Sequence, residues 1–451
     1  MEKRLRVHVV GIGGIGMSGI ALILKDRGYE VSGSDIKESV MTQKLREKGI
    51  KVFIGHSPKN VKDADVVIYS SAVKSDNVEI VEAKKRKIPT LPRSDILSDV
   101  MRFKESIAVA GTHGKTTTSS MISTVFYSAG LNPTILVGGR LSLLGGINAQ
   151  SGDGDWLIAE ADESDGTFLK LSPSLSVITN IDRDHLDFYK SFESLKSAFV
   201  EFANRVAFYG KVFLCGECPN VRSILDKVYK RKATYGFSKS WDFYAPSVVY
   251  KGLGSFFEVY YKGDKLGNVK LNVPGEHNVL NAVATVAVCL EAGIPFSQVA
   301  EYLEQFRNAS RRMELKGTVK GITFIDDYAH HPSEIKATYS AVKRAFPDRQ
   351  IVVLFQPHRY SRTKILWKEF IEVLRVIPNL FLCDIYPAGE KKIEGITAEK
   401  LAKECGAFYL GTLEEACKKI STKLKQGNVF LSMGAGDVTK AFDIIRGEID
   451  E

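Results

Sequence analysis

The sequence predicts an α/β protein assembled from three alternating segments. Two features carry that reading. Short, β-rich apolar runs recur along the 451 residues, each followed by a stretch of helical period. Several of those runs also end in glycine turns or clusters of polar residues, the strand ends where such folds hold ligands. A chain of this length exceeds one ordinary hydrophobic core, so several domains are expected.

The first segment runs from Leu5 to about Pro92. Residues 7–10 form an apolar strand, a glycine turn follows, and residues 15–27 are helical in period. A short strand at 30–33, a helix around 41–48 and a strand at 66–70 complete a Rossmann-like unit with a parallel sheet. The second segment opens with the β-rich run 107–110, which enters Gly111 and a long helix to Ala129. Residues 157–159 and 175–179 read as further buried strands. Residues 238–273 alternate apolar with polar positions between turn glycines, the pattern of an antiparallel ribbon, and 277–292 return as an apolar helix. The third segment starts near Arg311 and alternates strand 322–326, helix 332–346, strand 351–356, helix 362–376 and strand 380–383. A strand at 429–433 and a final helix close this second Rossmann-like unit.

The formal charge of +9 favours anionic ligands. Basic residues are interspersed with acidic ones, and the densest run, Lys84-Lys85-Arg86-Lys87, reads as a solvated helix face. No nucleic-acid reading motif accompanies the charge, so nucleic acid is not an expected partner. Six cysteines in so long a chain do not make a disulfide framework. Cys215 and Cys218 have CxxC spacing but no second pair or nearby histidine completes a zinc set, and free thiols are expected. The basic start and apolar run 7–24 mimic a signal peptide. Gly11, Gly13, Gly14, Gly16 and Gly19 interrupt that run, and Lys25-Asp26-Arg27 follows it, so strand, turn and helix explain it better. With no other segment of membrane-spanning length, a cytoplasmic protein without a membrane partner is expected.

Residues 111–118 (GTHGKTTT) lie between a strand and a helix, where backbone N–H groups and the helix dipole hold phosphate. Lys115 is placed to reach β and γ oxygens and Thr116 to put its hydroxyl on Mg²⁺. The spacing departs from the usual P-loop, since Val109 stands where the first glycine falls. The central segment is thus a P-loop-type ATPase domain with a mainly parallel sheet. Gly11, Gly13 and Gly16 form a second fingerprint with Asp35 near the ribose position. Taken alone that fingerprint predicts NAD; beside a separate triphosphate loop it suits another nucleotide carried by the substrate.

Residues 160–165 (EADESD) and 179–187 (TNIDRDHLD) follow predicted strands of the same domain. Their carboxylates and His185 supply the hard ligands that Mg²⁺ with ATP requires. In the third segment, 326–332 (DDYAHHP) and 356–362 (QPHRYSR) pair arginines with histidines, which suits a small carboxylate gripped by two parallel hydrogen bonds. Zinc at the adjacent His330 and His331 lacks a third ligand.

These motifs together resemble the Mur ligase family, and within it the branch that adds alanine. The resemblance spans essentially the whole chain. It rests on residues 11–21 (GIGGIGMSGIA), 111–118, 160–169 (EADESDGTFL), 179–187, 274–281 (PGEHNVLN), 326–334 (DDYAHHPSE), 355–363 (FQPHRYSRT) and 434–438 (GAGDV). It implies three domains: 1–94 for the UDP end of the substrate, 95–308 for ATP and 309–451 for the amino acid. It implies ATP-dependent ligation of L-alanine to the carboxylate of UDP-N-acetylmuramate through an acyl phosphate, by a monomer or weak homodimer in peptidoglycan precursor synthesis. Lys115, Glu160 and His185 would be catalytic, and Thr116, Glu160 and His185 would hold magnesium. ATP would meet Gly111, Thr112, His113, Gly114, Lys115, Thr116, Thr117, His277, Asn278, Asn281, Arg312 and Asp326. Gly11, Gly13, Gly14, Gly16, Asp35, Ser70 and Ser71 would face the uridine diphosphate, and Tyr328, His330, Arg359 and Arg362 the amino acid.

Three departures from the family pattern stand out. Met313-Glu314 replace Phe-Gln, Ala329 replaces a glycine, and residues 197–204 lack the lysine that sister ligases carbamylate. Two other readings share some of these motifs. An NAD-dependent oxidoreductase would use the first glycine turn but leave Lys115 without a role. A P-loop switch or transport ATPase would hydrolyse ATP without an amino acid, and would leave the Tyr328–Arg362 residues idle.

Overall fold

The structure, a computed structural model, describes residues 4–70, 72–141, 147–307 and 311–450. The chain divides into two compact units. Met1–Ser247, Phe257–Val269 and Leu280–Phe306 form the first; Val248–Phe256, Lys270–Val279 and Arg307–Glu451 form the second. No helix of the described residues is long and apolar enough to cross a membrane.

The first unit contains two sheets. Its N-terminal sheet is all parallel, in the order Lys51–Ile54, Glu30–Asp35, Arg6–Val10, Val66–Tyr69, Thr90–Pro92. The central strand buries Val7, Val9 and Val10, the near-continuous apolar run expected of a strand covered on both faces. Its C-terminal end is the point where strand order reverses, and there the glycine turn leads into the helix Ile15–Asp26. The turn is tied to the neighbouring strand: Gly11 and Ile12 donate backbone N–H bonds to Ser34 O at 2.8 and 2.9 Å. The helix is apolar on most of its surface and buries Met17, Ile20, Ala21, Ile23 and Leu24.

The second sheet of this unit places Glu105–Ala110 between Trp156–Glu160 and Leu175–Ile178, all parallel. All three strands therefore deliver their following loops to one edge. Lys211–Cys215 and Lys232–Gly236 extend the parallel part, and antiparallel pairing appears at its margins, as between Phe243 and Tyr261. The helix Lys115–Ser128 is buried along almost its whole length, including Ser119, Ser120 and Ser123.

The second unit carries a sheet ordered Glu314–Val319, Ile322–Asp327, Val429–Met433, Ile351–Phe355, Leu380–Leu382, Phe408–Tyr409. Only the first pairing is antiparallel. One face packs Ile325, Val353, Phe355, Leu382 and Leu431 against helices, and the other packs Phe324, Val352, Leu354 and Phe430. The long helix expected over 362–376 is two helices, Tyr360–Ile365 and Trp367–Leu374, because Leu366 leaves helical geometry between them. The strands Lys51–Ile54, Thr134–Leu141, Lys211–Cys215 and Lys232–Gly236 were not anticipated. Lys51–Ile54, Lys211–Cys215 and Lys232–Gly236 are four or five residues long and begin with lysine, so their apolar stretch is too brief to give a period.

A polar cluster lies inside the first sheet's domain. Glu79 is fully buried and accepts hydrogen bonds from Ser34 Oγ, from Asn60 Nδ2 at 2.6 Å and from the Ser57 N–H at 3.2 Å. His56 lies 3.2 Å and His8 3.6 Å from its Oε2. Burial alone would raise the Glu79 carboxyl, but contacts with His8, Ser34 and Asn60 bring it from 4.5 down to about 2. A carboxylate whose folded pKa is depressed contributes stability that is complete above its unfolded value. That contribution is lost as pH falls from about 4.5 toward 2, and amounts to roughly 3 kcal/mol. Glu79→Gln is therefore expected to lower stability at pH 7 by about 2–3 kcal/mol. Chemical denaturation at pH 7 and pH 3 should show the difference from the parent shrinking at the lower pH; a constant difference would sink this account.

Candidate active site

The loop after Glu105–Ala110 is built around two glycines. Gly111 has φ +134°, and a Cβ there would lie 2.0 Å from Thr179 Oγ1. Gly114 caps the helix with φ +83°, and a Cβ on it would come 3.0 Å from Asn281 Oδ1. Neither position tolerates a side chain. The neighbouring loop holds the turn in shape. Asn180 Oδ1 accepts from the His113 N–H at 2.9 Å, Asn180 O accepts from the Thr112 N–H at 3.2 Å, and Thr179 Oγ1 donates to His113 O at 2.6 Å. His113 Nε2 lies 3.3 Å from Asp182. With Thr112 and His113 so engaged, the N–H groups of the following helical turn, which lack intrahelical acceptors, are left to meet an anion.

Lys115 stands at the first position of that helix. Its Nζ lies 2.9 Å from both carboxylate oxygens of Glu163 and donates to Gly111 O and, at 3.3 Å, to Thr112 O. Burial opposes its charge, but Glu163, Asp162 and Glu160 more than compensate and raise its pKa, so it remains an ammonium. Asp162 responds in kind: burial pushes it up, and Lys115 with the Ser164 N–H holds it below the ordinary carboxylate range. Thr116 Oγ1 donates to Glu160 Oε2 at 3.2 Å, and Ser119 Oγ and the Gly138 N–H approach Glu160 Oε1. Thr117 is buried behind them. His185 has φ +55° at the start of a short helix and lies 3.7 Å from Glu163 Oε1 and from Asp184 Oδ2.

A cavity of about 280 Å³ opens onto this group. It is lined by Lys115, Glu160 and Asp162 together with Gly16, Ile20 and Arg93 from the first sheet's domain. Asp35 does not line it. Its Oδ2 accepts the Gly13 N–H at 2.8 Å, which ties the acid predicted for a ribose to the glycine turn. Gly11, with φ +76°, and Gly14 stay within the turn, where Gly14 N–H donates to Gly11 O. Ser70 Oγ accepts the Ala72 N–H at 3.3 Å, and Ser71 lies outside the described residues.

In the second unit, Asp326 is buried and accepts from Ser432 Oγ at 2.8 Å, Thr439 Oγ1 at 3.0 Å and Arg311 Nε at 3.2 Å. Arg311 is its cationic partner. Arg312 faces Glu334 at 3.6 Å, and the two guanidiniums lie 5.0 and 5.3 Å from the Tyr328 ring centroid. Asp327 organises the turn: it accepts from the Met313 N–H at 2.7 Å, the Ala329 N–H at 2.8 Å and Thr338 Oγ1 at 3.2 Å. The replaced positions 313 and 329 thus contribute backbone to the turn, and Glu314 accepts the Arg311 N–H at 2.8 Å.

His330 Nδ1 lies 2.9 Å from Tyr328 O, and since a carbonyl only accepts, that nitrogen carries the proton and Nε2 keeps its lone pair. Burial and the nearby arginines bring His330 down to about 4, His358 to about 3 and, with Arg312, His277 to about 4, so all three are neutral at pH 7. Arg359 has φ +66° and starts the short helix that also bears Arg362, whose Nη1 is 3.4 Å from His358 Nδ1. Asn278 is buried with its amide on Pro274 O at 2.7 Å.

Sequence reasoning passed over Glu163 and Arg93 as site residues. Glu163 lay within the quoted acidic run, which offered its neighbours equally; Arg93 belongs to no motif. Cys215 and Cys218 are free thiols, Cys215 buried and pushed up to about 12 by that burial. The loop geometry sets an expectation: Gly111→Ala should raise the Kd for ATP at least ~10-fold, because the added Cβ must displace Thr179 from His113. Calorimetric titration checks it, and an unchanged Kd would mean that the loop does not contact the nucleotide.

Comparison with known proteins covers nearly the whole chain. Residues 6–105 match the family model described as Mur ligase family, catalytic domain; residues 109–289 match the Mur ligase middle domain; and residues 311–436 match the Mur ligase, glutamate ligase domain. The UDP-N-acetylmuramate–L-alanine ligase of Geotalea daltonii is 49% identical over 442 residues, covering 97% of this chain and 96% of that one. The protein of the same name from Aquifex aeolicus is 48% identical over 439 residues, again covering 97% and 96%. The crystal structure of the UDP-N-acetylmuramate–alanine ligase of Thermotoga maritima superposes with a TM-score of 0.82 at 32% identity, covering 99% of each chain. With a phosphate loop, its acidic partners and a three-sheet α/β architecture matched from end to end, this chain belongs to the Mur ligase family.

Proposed function

We propose that the protein is an ATP-dependent ligase that joins L-alanine to the carboxylate of UDP-N-acetylmuramate, working in peptidoglycan precursor synthesis. The observation that carries this reading is the shared cavity. Lys115 and the acids Glu160 and Asp162 line it together with Gly16 and Ile20 of the helix that follows the sugar-nucleotide glycine turn. Relatives named for that reaction are about half identical to it over nearly their full length. We assign residues 1–94 to the UDP end of the substrate, 95–308 to ATP and 309–451 to the amino acid. The location we assign is the cytoplasm.

The donor set near the loop suits magnesium: the Thr116 hydroxyl and the Glu160 carboxylate are hard oxygens already 3.2 Å apart, and His185 sits beside the adjoining Glu163. Thr116, Glu160 and His185 would hold the ion, which supplies charge neutralisation for the phosphates when bound. Lys115 is kept protonated and aimed by Glu163, and the first helical turn offers N–H donors, so the protein neutralises the γ-phosphate where negative charge gathers. The muramyl carboxylate oxygen bonds to the γ-phosphorus as the bond to the β-phosphate oxygen breaks, giving ADP and an acyl phosphate. The neutral amine of alanine then bonds to the acyl carbon, phosphate leaves with the C–O electron pair, and the amine sheds a proton. Water must be excluded between the two steps. His277, Asn278 and Asn281, with Arg312, complete our assignment for ATP; Asp326 acts by holding Arg311.

For the amino acid, Arg359 and Arg362 present two guanidiniums from one short helix, suited to a carboxylate. His330, neutral with its Nε2 lone pair intact, accepts a hydrogen bond from the amino group, and Tyr328 flanks it. One methyl is worth only ~1–3 kcal/mol in such a pocket, so glycine and serine should be slow substrates rather than inert ones.

Three outcomes test this reading. Phosphate release from ATP should require both UDP-N-acetylmuramate and an amino acid, with alanine fastest in a panel; release without either acceptor would point to a switch ATPase. Lys115→Ala should reduce kcat at least ~10³-fold, as expected if it supplies ~4 kcal/mol at the transition state. Arg359→Lys, which keeps charge but not the planar fork, should raise KM for alanine about tenfold while KM for ATP stays within a factor of two.

A further inference from the structure

Arg93 occupies a position that the reaction as described leaves unused. It is the first residue of the helix Arg93–Met101, it is half-buried, and it lines the same cavity as Lys115, Glu160 and Asp162. Among the described residues no hydrogen bond to it is seen, and its electrostatic partner is Asp162 of the same cavity, whose carboxyl it helps to hold below the ordinary range. A guanidinium carries five donors and does not shed its charge, so one that lines a cavity with its donors not bonded to protein is suited to an anion that arrives from outside.

The glycine turn is shaped around it. A Cβ on Gly16 would lie 2.1 Å from Arg93 Nη1 and 3.2 Å from its Cζ, so the last glycine of the turn makes room for the guanidinium. That differs from the usual task of this glycine, which is to let helix and strand pack closely. The turn's own polar groups are largely spoken for: Gly11 and Ile12 N–H bond to Ser34 O, Gly14 N–H to Gly11 O, and Gly13 N–H to the Asp35 carboxylate. The Asp35 charge at this point repels a phosphate that would otherwise sit on the turn. A second anion can be held here only with a compensating cation, and Arg93 is the one that overlies the first helical turn.

We propose that Arg93 is a substrate-binding residue that grips an anionic group of the sugar nucleotide over Gly16, in the cavity it shares with Lys115. This inference rests on the assignment of UDP-N-acetylmuramate as substrate. Two groups of that molecule share the required chemistry, the pyrophosphate and the lactyl carboxylate. Either one, held between Arg93 and Lys115, positions the carboxylate for attack on the γ-phosphate.

The test is binding without turnover. Calorimetric titration of the parent, Arg93→Ala and Arg93→Lys is carried out with UDP-N-acetylmuramate, with UDP-N-acetylglucosamine, which lacks the carboxylate, and with ATP. Arg93→Ala should weaken UDP-N-acetylmuramate at least ~10-fold and leave ATP within a factor of two, with Arg93→Lys in between. An equal loss for UDP-N-acetylglucosamine identifies the pyrophosphate as the group held; a loss confined to UDP-N-acetylmuramate identifies the carboxylate. Unchanged affinity for both sugar nucleotides, or an equal loss for ATP, overturns the proposal. If Arg93→Ala does not fold, Arg93→Lys and Gly16→Ala, which displaces the guanidinium without removing it, are read by the same criteria. A parent protein that fails to bind UDP-N-acetylmuramate would instead defeat the functional assignment beneath it.

Discussion

The ion pair of Lys115 with Glu163 is the interaction on which the site depends. An ammonium at the start of a buried helix is opposed by desolvation and by the helix dipole, and it persists because a buried carboxylate meets it with both oxygens. Glu163 in turn touches His185, and its main-chain oxygen accepts the Tyr189 hydroxyl at 2.6 Å. The same pair therefore fixes the phosphate loop and the two strand-end loops that flank it. Such a pair adds little net stability, since each charge gives up water. What it supplies is position: a cation held ready for phosphate without reorganisation.

That economy recurs elsewhere in the chain. In each place an acid holds a turn or a neighbouring side chain in position. Asp327 fixes the turn that presents Tyr328 and His330, and Asp326 fixes Arg311. Glu390 accepts both the N–H and the hydroxyl of Ser361, at 3.0 and 2.6 Å, and so steadies the short helix that carries Arg359 and Arg362. Asp35 does the same for the glycine turn through Gly13. The unfavourable φ of Arg359 is tolerated because both sides of it are pinned: its N–H bonds to Tyr386 O at 2.9 Å while Glu390 holds Ser361.

The neutral histidines complete the electrostatic design of the second unit. Arg311, Arg312, Arg359 and Arg362 already give that region positive charge, and protonated imidazoles beside them would be repelled. Burial and those arginines keep His277, His330 and His358 uncharged well below neutral pH. On the proposed assignment the arginines then serve a carboxylate while His330 accepts from an amine, two tasks that a uniformly cationic surface could not combine.

What the sequence determined by itself follows from local physics. Apolar runs that alternate with helical periods require buried parallel strands with helices upon them, and glycines at fixed offsets require turns that close on anions. Residues 111–118, the acidic run 160–165 and the paired motifs at 326–332 and 356–362 were legible because each is contiguous and each chemistry needs those atoms near one another along the chain. Partner choice was settled only by tertiary structure, because it depends on which loops a sheet order brings to one edge. Parallel strand order set Glu163 rather than a neighbouring acid against Lys115, tied Asp35 to the glycine turn, and gave Asp326 to Arg311. Arg93 lies 77 residues of chain from Gly16 and carries no local signature; only the folding of the first domain's sheet lays its guanidinium over that glycine and turns both toward the cavity.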